Sequence, residues 1–160
     1  MTRTNSKNVN YGLGFTLIEL IVVIFILSIS SALIIPSLMN TGKGSLKSDA
    51  KRMGSALRYV YDESVSKKKD YLFYMNLDDD SYGFTGERES KSFSLKDDVY
   101  LKDILIPSLG TRSDGEVTVK FGALGPEEPI ILHLASEKEE YTVIFNNVNG
   151  RAGIYEGYKQ

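Results

Sequence analysis

The chain has 160 residues, a formal net charge of −2 and 25% charged residues, a composition typical of a globular protein with room for one domain. It contains no cysteine, which excludes thiol catalysis, disulfide bonds and cysteine metal sites. The slightly acidic total gives no indication of a nucleic-acid-binding protein. The charge is unevenly distributed, however, because Glu19 is the single ionisable residue between positions 15 and 39.

The N-terminal segment has a polar part followed by an apolar part. Residues 1–14 contain two basic residues, Arg3 and Lys7, and no acid. Residues 15–39 would form a helix of roughly 37 Å at about 1.5 Å per residue. Since the hydrocarbon core of a bilayer is about 30 Å thick, the pattern predicts a tilted transmembrane helix.

Two general interpretations of this segment explain it incompletely. A conventional signal peptide would use Ser30-Ser31-Ala32 as its small-residue cleavage site, but Glu19 interrupts its apolar region and the apolar run continues to Leu38. A plain membrane anchor explains the hydrophobicity but accounts for neither Glu19 nor the boundary between Gly14 and Phe15.

The residues around that boundary match a known processing site. Gly14 is followed by Phe15-Thr16-Leu17-Ile18-Glu19, which resembles the cleavage site of type IV prepilins and type II secretion pseudopilins. The resemblance implies that a prepilin peptidase cuts between Gly14 and Phe15 and that Phe15 is then N-methylated. It also implies a leader at residues 1–14, an inner-membrane helix at 15–39, bent at Pro36, and a periplasmic domain at 40–160.

Glu19 is the fifth residue after the predicted cut, the position at which this family carries a glutamate. A carboxylate inside a bilayer costs about 2.5 kcal/mol or more and usually marks a function. Its natural partner is the new amino group at Phe15 of a neighbouring subunit. Because an unpaired buried charge is expensive, we expect this pairing to set the axial register of subunits in a filament.

The orientation in the membrane rests on the resemblance, because the basic residues do not decide it. Arg3 and Lys7 precede the apolar segment, but Lys43, Lys47 and Lys51 follow it. Those later residues begin a long domain, and long domains translocate largely regardless of charge.

After the apolar segment, the sequence predicts a joint and then an amphipathic helix. The stretch Thr41-Gly42-Lys43-Gly44-Ser45 is expected to interrupt the helix, with Ser45 or Ser48 as the cap of the second helix. Helical spacing then places six residues on one face, with Asp49, Lys51 and Arg52 off it: Leu46, Ala50, Met53, Leu57, Val60 and Ser64. The lysines at 67–69 are interpreted as a solvated helix end.

From Tyr71 onward the pattern predicts short strands separated by turn residues. The expected strands are 71–75, 82–85, 99–106, 116–121, 130–134, 141–145 and 152–155. Asn149-Gly150 between the last two is a strong hairpin signal. Helix first and strands afterwards predicts an α+β, pilin-like fold in which a long N-terminal helix, transmembrane and then amphipathic, packs on an antiparallel β-sheet domain.

The C-terminal half resembles one branch of that family, the minor pseudopilin H of type II secretion and the related FimT pilus subunits. The resemblance lies in Phe121 to Gly125, the run from Ile130, Tyr141 to Ile144, and Gly150-Arg151; Ala123-Leu124 departs from it, where the family commonly has a proline before the glycine. It implies a structural subunit of the periplasmic pseudopilus of a type II secretion system, with other pseudopilins or pilins as partners.

The alternative within this branch is a minor pilin of the FimT kind, involved in pilus assembly or DNA uptake. After removal of residues 1–14 the chain carries 17 basic and 21 acidic residues, a balance of −4. DNA binding requires clustered Lys or Arg, so this composition disfavours nucleic acid as a partner.

The residues that could form a chemical site do not meet its requirements. Asp78, Asp80, Gly83 and Glu89 follow the spacing of a calcium loop, but Tyr82 stands where an oxygen ligand is required, so the acids are interpreted as a solvated hairpin turn. His133 is the only histidine and is interpreted as a structural strand residue. No nucleophile motif is present, and we therefore expect neither a cofactor nor enzymatic activity.

The processing site gives a direct prediction. Protein extracted from the membrane should begin at Phe15 and carry one N-methyl group, because Gly14 is the last residue of the predicted leader. Intact mass spectrometry measures both features. A chain that begins at Thr2, or after Ala32, would contradict the prepilin interpretation.

Overall fold

A computed structural model describes residues 17–26, 41–96 and 98–160. The chain divides into two compact units, Met1–Met39 and Asn40–Gln160, and each is described by itself. In the first unit, helix α1 covers residues 17–26. Among the residues that the structure describes, no helix reaches the length and apolar character that crossing a membrane requires.

The second unit begins with one long helix. Helix α2, Thr41–Lys67, buries the side chains of the predicted stripe completely, which confirms it: Leu46, Ala50, Met53, Leu57, Val60 and Ser64. The helix ends at the lysine run as expected, because Lys68 adopts a positive φ of 54° and the Lys69 amide donates to the Ser64 carbonyl at 3.2 Å.

Two expectations for the start of this helix are wrong. Residues 41–45 are helical and form no joint, and Ser45 caps nothing: it is buried and its hydroxyl donates to Asp98 Oδ1 at 3.0 Å. Asp49 is likewise buried. Its carboxylate accepts hydrogen bonds from the Arg52 guanidinium at 3.2 Å and from the Lys96 amide at 3.3 Å. These tertiary contacts therefore outweigh the destabilisation of the helix by Gly42 and Gly44, which is about 1 kcal/mol for each residue.

The rest of the second unit, as far as the structure describes it, contains nine strands. They are β1 Tyr71–Asn76, β2 Ser81–Thr85, β3 Ser90–Ser94, β4 Tyr100–Ile106, β5 Gly110–Arg112, β6 Glu116–Phe121, β7 Ile130–Ala135, β8 Glu140–Asn146 and β9 Arg151–Glu156. One sheet has the order β3-β2-β1-β6, which we call sheet A, and the other has the order β5-β4-β7-β8-β9, which we call sheet B. All pairs are antiparallel, so the predicted α+β class is confirmed.

The strand prediction was incomplete in two respects. All seven predicted strands are present, but β3 and β5 were missed, because Phe93 is the only apolar residue of β3 and β5 has three exposed residues. The strands also form two sheets, a division on which the sequence prediction was silent; β6 pairs with β1 across a long separation in sequence.

The core lies where α2 meets both sheets. Phe121 of β6 in sheet A packs against Phe145 of β8 in sheet B with ring centroids 5.7 Å apart, and Tyr61 of α2 meets Phe145 at 6.0 Å. Gly54 lets α2 approach sheet B closely, since a Cβ there would lie 3.2 Å from the Cβ of Ala152. Aromatic contacts therefore join the helix and the two sheets into one core.

The predicted Asn-Gly hairpin is present between β8 and β9. Gly150 has a φ of +65° and its amide donates to the Asn146 carbonyl at 2.9 Å. A Cβ at this position would lie 2.2 Å from Cδ1 of Tyr61. The glycine is therefore required both by the turn and by the helix that packs on it.

Gly150→Ala should lower the free energy of unfolding by about 2–5 kcal/mol, because left-handed backbone strain of about 1–2 kcal/mol adds to an overpacking cost of about 1–3 kcal/mol. Gly115→Ala is the matched control, since Gly115 has a φ of +74° with open space around it, and it should cost only the backbone strain. Guanidinium unfolding of the full chain in detergent, followed by near-ultraviolet circular dichroism, measures both. Equal losses in the two variants would show that the Tyr61 contact does not constrain this turn.

Candidate assembly site

Helix α1 exposes apolar side chains around its whole circumference. Their exposed fractions range from 42% at Val23 to 77% at Leu17. A helix that is apolar on all sides belongs in a membrane or among other helices, so this surface is suited to lipid and to neighbouring subunits. Glu19 lies on the same helix with an exposed side chain, and it is the only ionisable residue within the described residues 17–26.

The other residues predicted for this site lie outside the described residues. These are Gly14 and Phe15 at the processing site and Pro36 within the predicted transmembrane segment. The cleavage position, the methylated amine and the full predicted transmembrane segment therefore stay predictions from the sequence.

On the second unit, a groove of about 410 Å³ runs between α2 and the β2–β3 side of sheet A. Tyr59, Phe84 and Phe93 line it, and the Lys91 ammonium lies 5.4 Å from the centroid of the Tyr59 ring. Sequence reasoning missed this groove, because the groove depends on β3, in which Phe93 is the lone apolar residue.

Glu89 contacts the two polar groups at one edge of this groove, the Tyr59 hydroxyl and the Lys91 ammonium. Its carboxylate accepts from the Tyr59 hydroxyl at 2.8 Å and pairs with Lys91 at 2.9 Å. The hydrogen bonds from Lys91 and then Tyr59 lower the pKa of Glu89, and the bond to Glu89 raises the pKa of Tyr59 above its ordinary value. The positive charge of Lys91 is therefore accompanied by the negative charge of Glu89.

The same matching recurs over the surface of the second unit. Five further cations contact an acid: Arg52 with Asp49, Lys67 with Glu63, Lys69 with Glu87, Lys102 with Glu140 and Lys120 with Asp70. Those pairs whose two side chains are both exposed contribute little to stability. At these five positions, an acidic side chain therefore accompanies the basic one.

Two of the acids with calcium-loop spacing accept hydrogen bonds from backbone amides. In the β1–β2 turn, Asp80 Oδ1 accepts from the Leu101 amide at 2.8 Å, and Asp78 Oδ1 accepts from the Gly115 amide at 3.1 Å. Among the described residues, no cluster of His, Asp and Glu could hold a metal ion. The predicted hairpin turn is present, and its acids tie β1 and β2 to β4 and to the start of β6.

His133 lies in β7 as predicted and is completely buried. Its Nδ1 lies 2.5 Å from Asp103 Oδ1 and its Nε2 lies 2.7 Å from the Lys159 carbonyl oxygen. Sequence reasoning missed the partner, because Asp103 is 30 residues away on a different strand.

Comparison with known proteins gives two matches. Residues 13–35 match the prokaryotic N-terminal methylation motif. The fold is similar to that of the minor pseudopilin EpsH from the type 2 secretion system of Vibrio cholerae, with a TM-score of 0.53 and 16% identity, over 70% of this chain and 97% of that one. No curated protein matches the sequence.

The two matches concern different features of the chain, a short N-terminal motif and the fold. The motif contains Gly14, Phe15 and Glu19, and it implies processing by a prepilin peptidase. The likeness to EpsH confirms the predicted fold, a helix packed on antiparallel sheets. The chain therefore carries a prokaryotic N-terminal methylation motif at its start and has a fold similar to that of a minor pseudopilin.

Proposed function

We propose that this chain is a minor pseudopilin, a structural and non-enzymatic subunit of the short periplasmic filament of a type II secretion system. The observation that carries the proposal is the fold of the second unit, which matches EpsH over 97% of that protein. The methylation motif in the same chain supports it independently, because it lies outside the globular unit.

The proposed maturation follows from the motif. A prepilin peptidase removes residues 1–14, cutting between Gly14 and Phe15, and methylates the new amino group at Phe15. The apolar segment of residues 15–39 then holds the chain in the inner membrane, with residues 40–160 in the periplasm. Assembly moves the apolar surface of α1 from lipid into contact with the helices of other pseudopilins.

Glu19 fixes the axial position that the subunit takes relative to its neighbour during this transfer. The apolar side chains of α1 pack without directional preference, because dispersion and hydrophobic contacts tolerate sliding. A carboxylate and the Phe15 ammonium of a neighbour attract each other strongly in a low-dielectric environment. Displacing one subunit along the other would leave both charges unpaired at a cost of several kcal/mol, so one axial position is selected.

The charge pattern of the second unit argues against the alternative, a DNA-uptake pilin. Duplex DNA binding depends on the neutralisation of several phosphates by a cluster of Lys and Arg. Here Lys67, Lys69 and Lys120 each already contact an acid, so an approaching phosphate would compete with a carboxylate at each position. The predicted mature balance of −4 adds a general repulsion.

Glu19→Gln should leave expression, membrane insertion and cleavage after Gly14 intact but impair incorporation into the filament. Glutamine keeps the shape and hydrogen-bonding capacity of glutamate and removes the charge that attracts the Phe15 ammonium. We expect recovery of other pilin-like subunits by co-purification to fall at least about tenfold, equivalent to about 1.4 kcal/mol.

Glu19→Asp is the matched control, because it keeps the charge on a side chain one methylene shorter and should retain more of the assembly. Intact mass provides the processing control for both variants. Normal recovery of partners with fully processed Glu19→Gln protein would show that this charge does not set the register.

A further inference from the structure

The C-terminal residues 157–160, which we call the tail, fold back across the outer face of sheet B. Gly157 makes the reversal with a φ of +81°, and its amide donates to the Glu140 carbonyl at 2.8 Å. The Thr142 hydroxyl donates to the Gly157 carbonyl at 2.7 Å and accepts from the Lys159 amide at 3.0 Å. The tail is therefore fastened to β8 by its backbone.

His133 on β7 provides the second attachment. Its ring stacks on Tyr158 with centroids 3.8 Å apart and planes within 10°. Its Nε2 lies 2.7 Å from the Lys159 carbonyl oxygen, while its Nδ1 lies 2.5 Å from Asp103 Oδ1. Tail residues thus cover a histidine and aspartate that are 0% and 6% exposed.

A β-bulge in β4 creates this pair. The register of β4 with β7 shifts between Leu101 and Asp103. Without the shift Lys102 would stand opposite His133; with it, Asp103 takes that place and lies on the outer face. Lys102 instead places its ammonium 5.2 Å from the Tyr158 ring centroid and pairs with Glu140 at 2.5 Å. The irregularity therefore replaces a cation beside the histidine with an anion.

The geometry requires two protons in the Asp103–His133 pair. A carbonyl oxygen only accepts, so the Lys159 carbonyl needs a proton on Nε2. The short contact between Nδ1 and the carboxylate needs a second proton, carried by either atom. If the pair held one proton, either the Lys159 contact or the Asp103 contact would bring two lone pairs together.

We propose that the tail is a proton-dependent strap, which closes over sheet B when the Asp103–His133 pair holds two protons and opens when it loses one. The ionisable groups near the pair are Lys102 on β4, Glu140 on β8 and Tyr158 in the tail itself. Lys102 and Glu140 pair with each other, so Asp103 supplies the unmatched charge beside the histidine. Burial and then the charge of Asp103 raise the pKa of Tyr158, which keeps that ring neutral.

The direction of the pH effect is set by the number of protons that each state holds. Opening the strap removes the Lys159 carbonyl from Nε2, so the open state no longer requires both protons. The closed strap then holds one proton more than the open one, so acid favours closing and alkali favours opening. For one proton, the ratio of closed to open strap changes by at most about tenfold per pH unit.

The chain suits a direct test, because it contains no cysteine and a single histidine. Gln160→Cys, labelled with a nitroxide in the full chain in detergent micelles, reports the mobility of the tail from about pH 5 to about pH 8. We expect an immobilised spectrum at the acid end and a mobile one at the alkaline end. The ring-nitrogen chemical shifts of the one histidine should change with the same midpoint, which requires no further substitution.

Two variants sharpen the test. His133→Gln keeps a donor for the Lys159 carbonyl but cannot titrate, so the mobility of the label should become independent of pH. Lys159→Ala is the matched control, because the strap uses only the backbone of Lys159, and it should retain the response. Equal mobility at both ends of the range in the parent, or midpoints for label and histidine that differ by more than about one pH unit, would overturn the proposal.

Discussion

The buried stripe along α2 is the contact on which the rest of the second unit depends. Val60 and the other apolar stripe residues are fully buried, and each removes apolar surface from water at about 25 cal/mol per Å². Strands of both sheets pack on this helix, β8 and β9 of sheet B most extensively. The same burial explains why residues 41–45 stay helical, since a break there would release Ser45 and Leu46 from the core. Gly54 and Gly150 are two places where close approach to this helix requires a glycine.

Helix α1 differs from α2 in what covers its apolar side chains. The stripe of α2 is covered by the strands of the same chain, whereas the side chains of α1 are exposed over the whole described segment. In the proposed filament that surface is covered first by lipid and then by other subunits. One chain thus combines a self-sufficient folded unit with a segment whose burial depends on partners, which is the physical requirement for a subunit that leaves a membrane to assemble.

The sequence predicted periodic features well and long-range partners poorly. The α2 stripe and the β8–β9 hairpin were predictable because each depends on spacing over a few residues. The two-sheet arrangement was not, since it depends on β6 pairing with β1. Asp49 was expected to lie off the buried face, but a loop that returns to the helix brings the Lys96 amide to its carboxylate. The pair of His133 and Asp103 was hidden for a further reason, because a one-residue bulge decides which side chain of β4 meets the histidine.

The central claim, that this chain is a structural subunit of a secretion filament, is tested most directly by its neighbours in the cell. Leu124, in the loop between β6 and β7, is 86% exposed and can be replaced by a photo-cross-linking amino acid without disturbing the core. Cross-linked partners are then identified by mass spectrometry. We predict adducts with other pseudopilins of a type II secretion system. Adducts confined to subunits of a DNA-uptake pilus would contradict the claim.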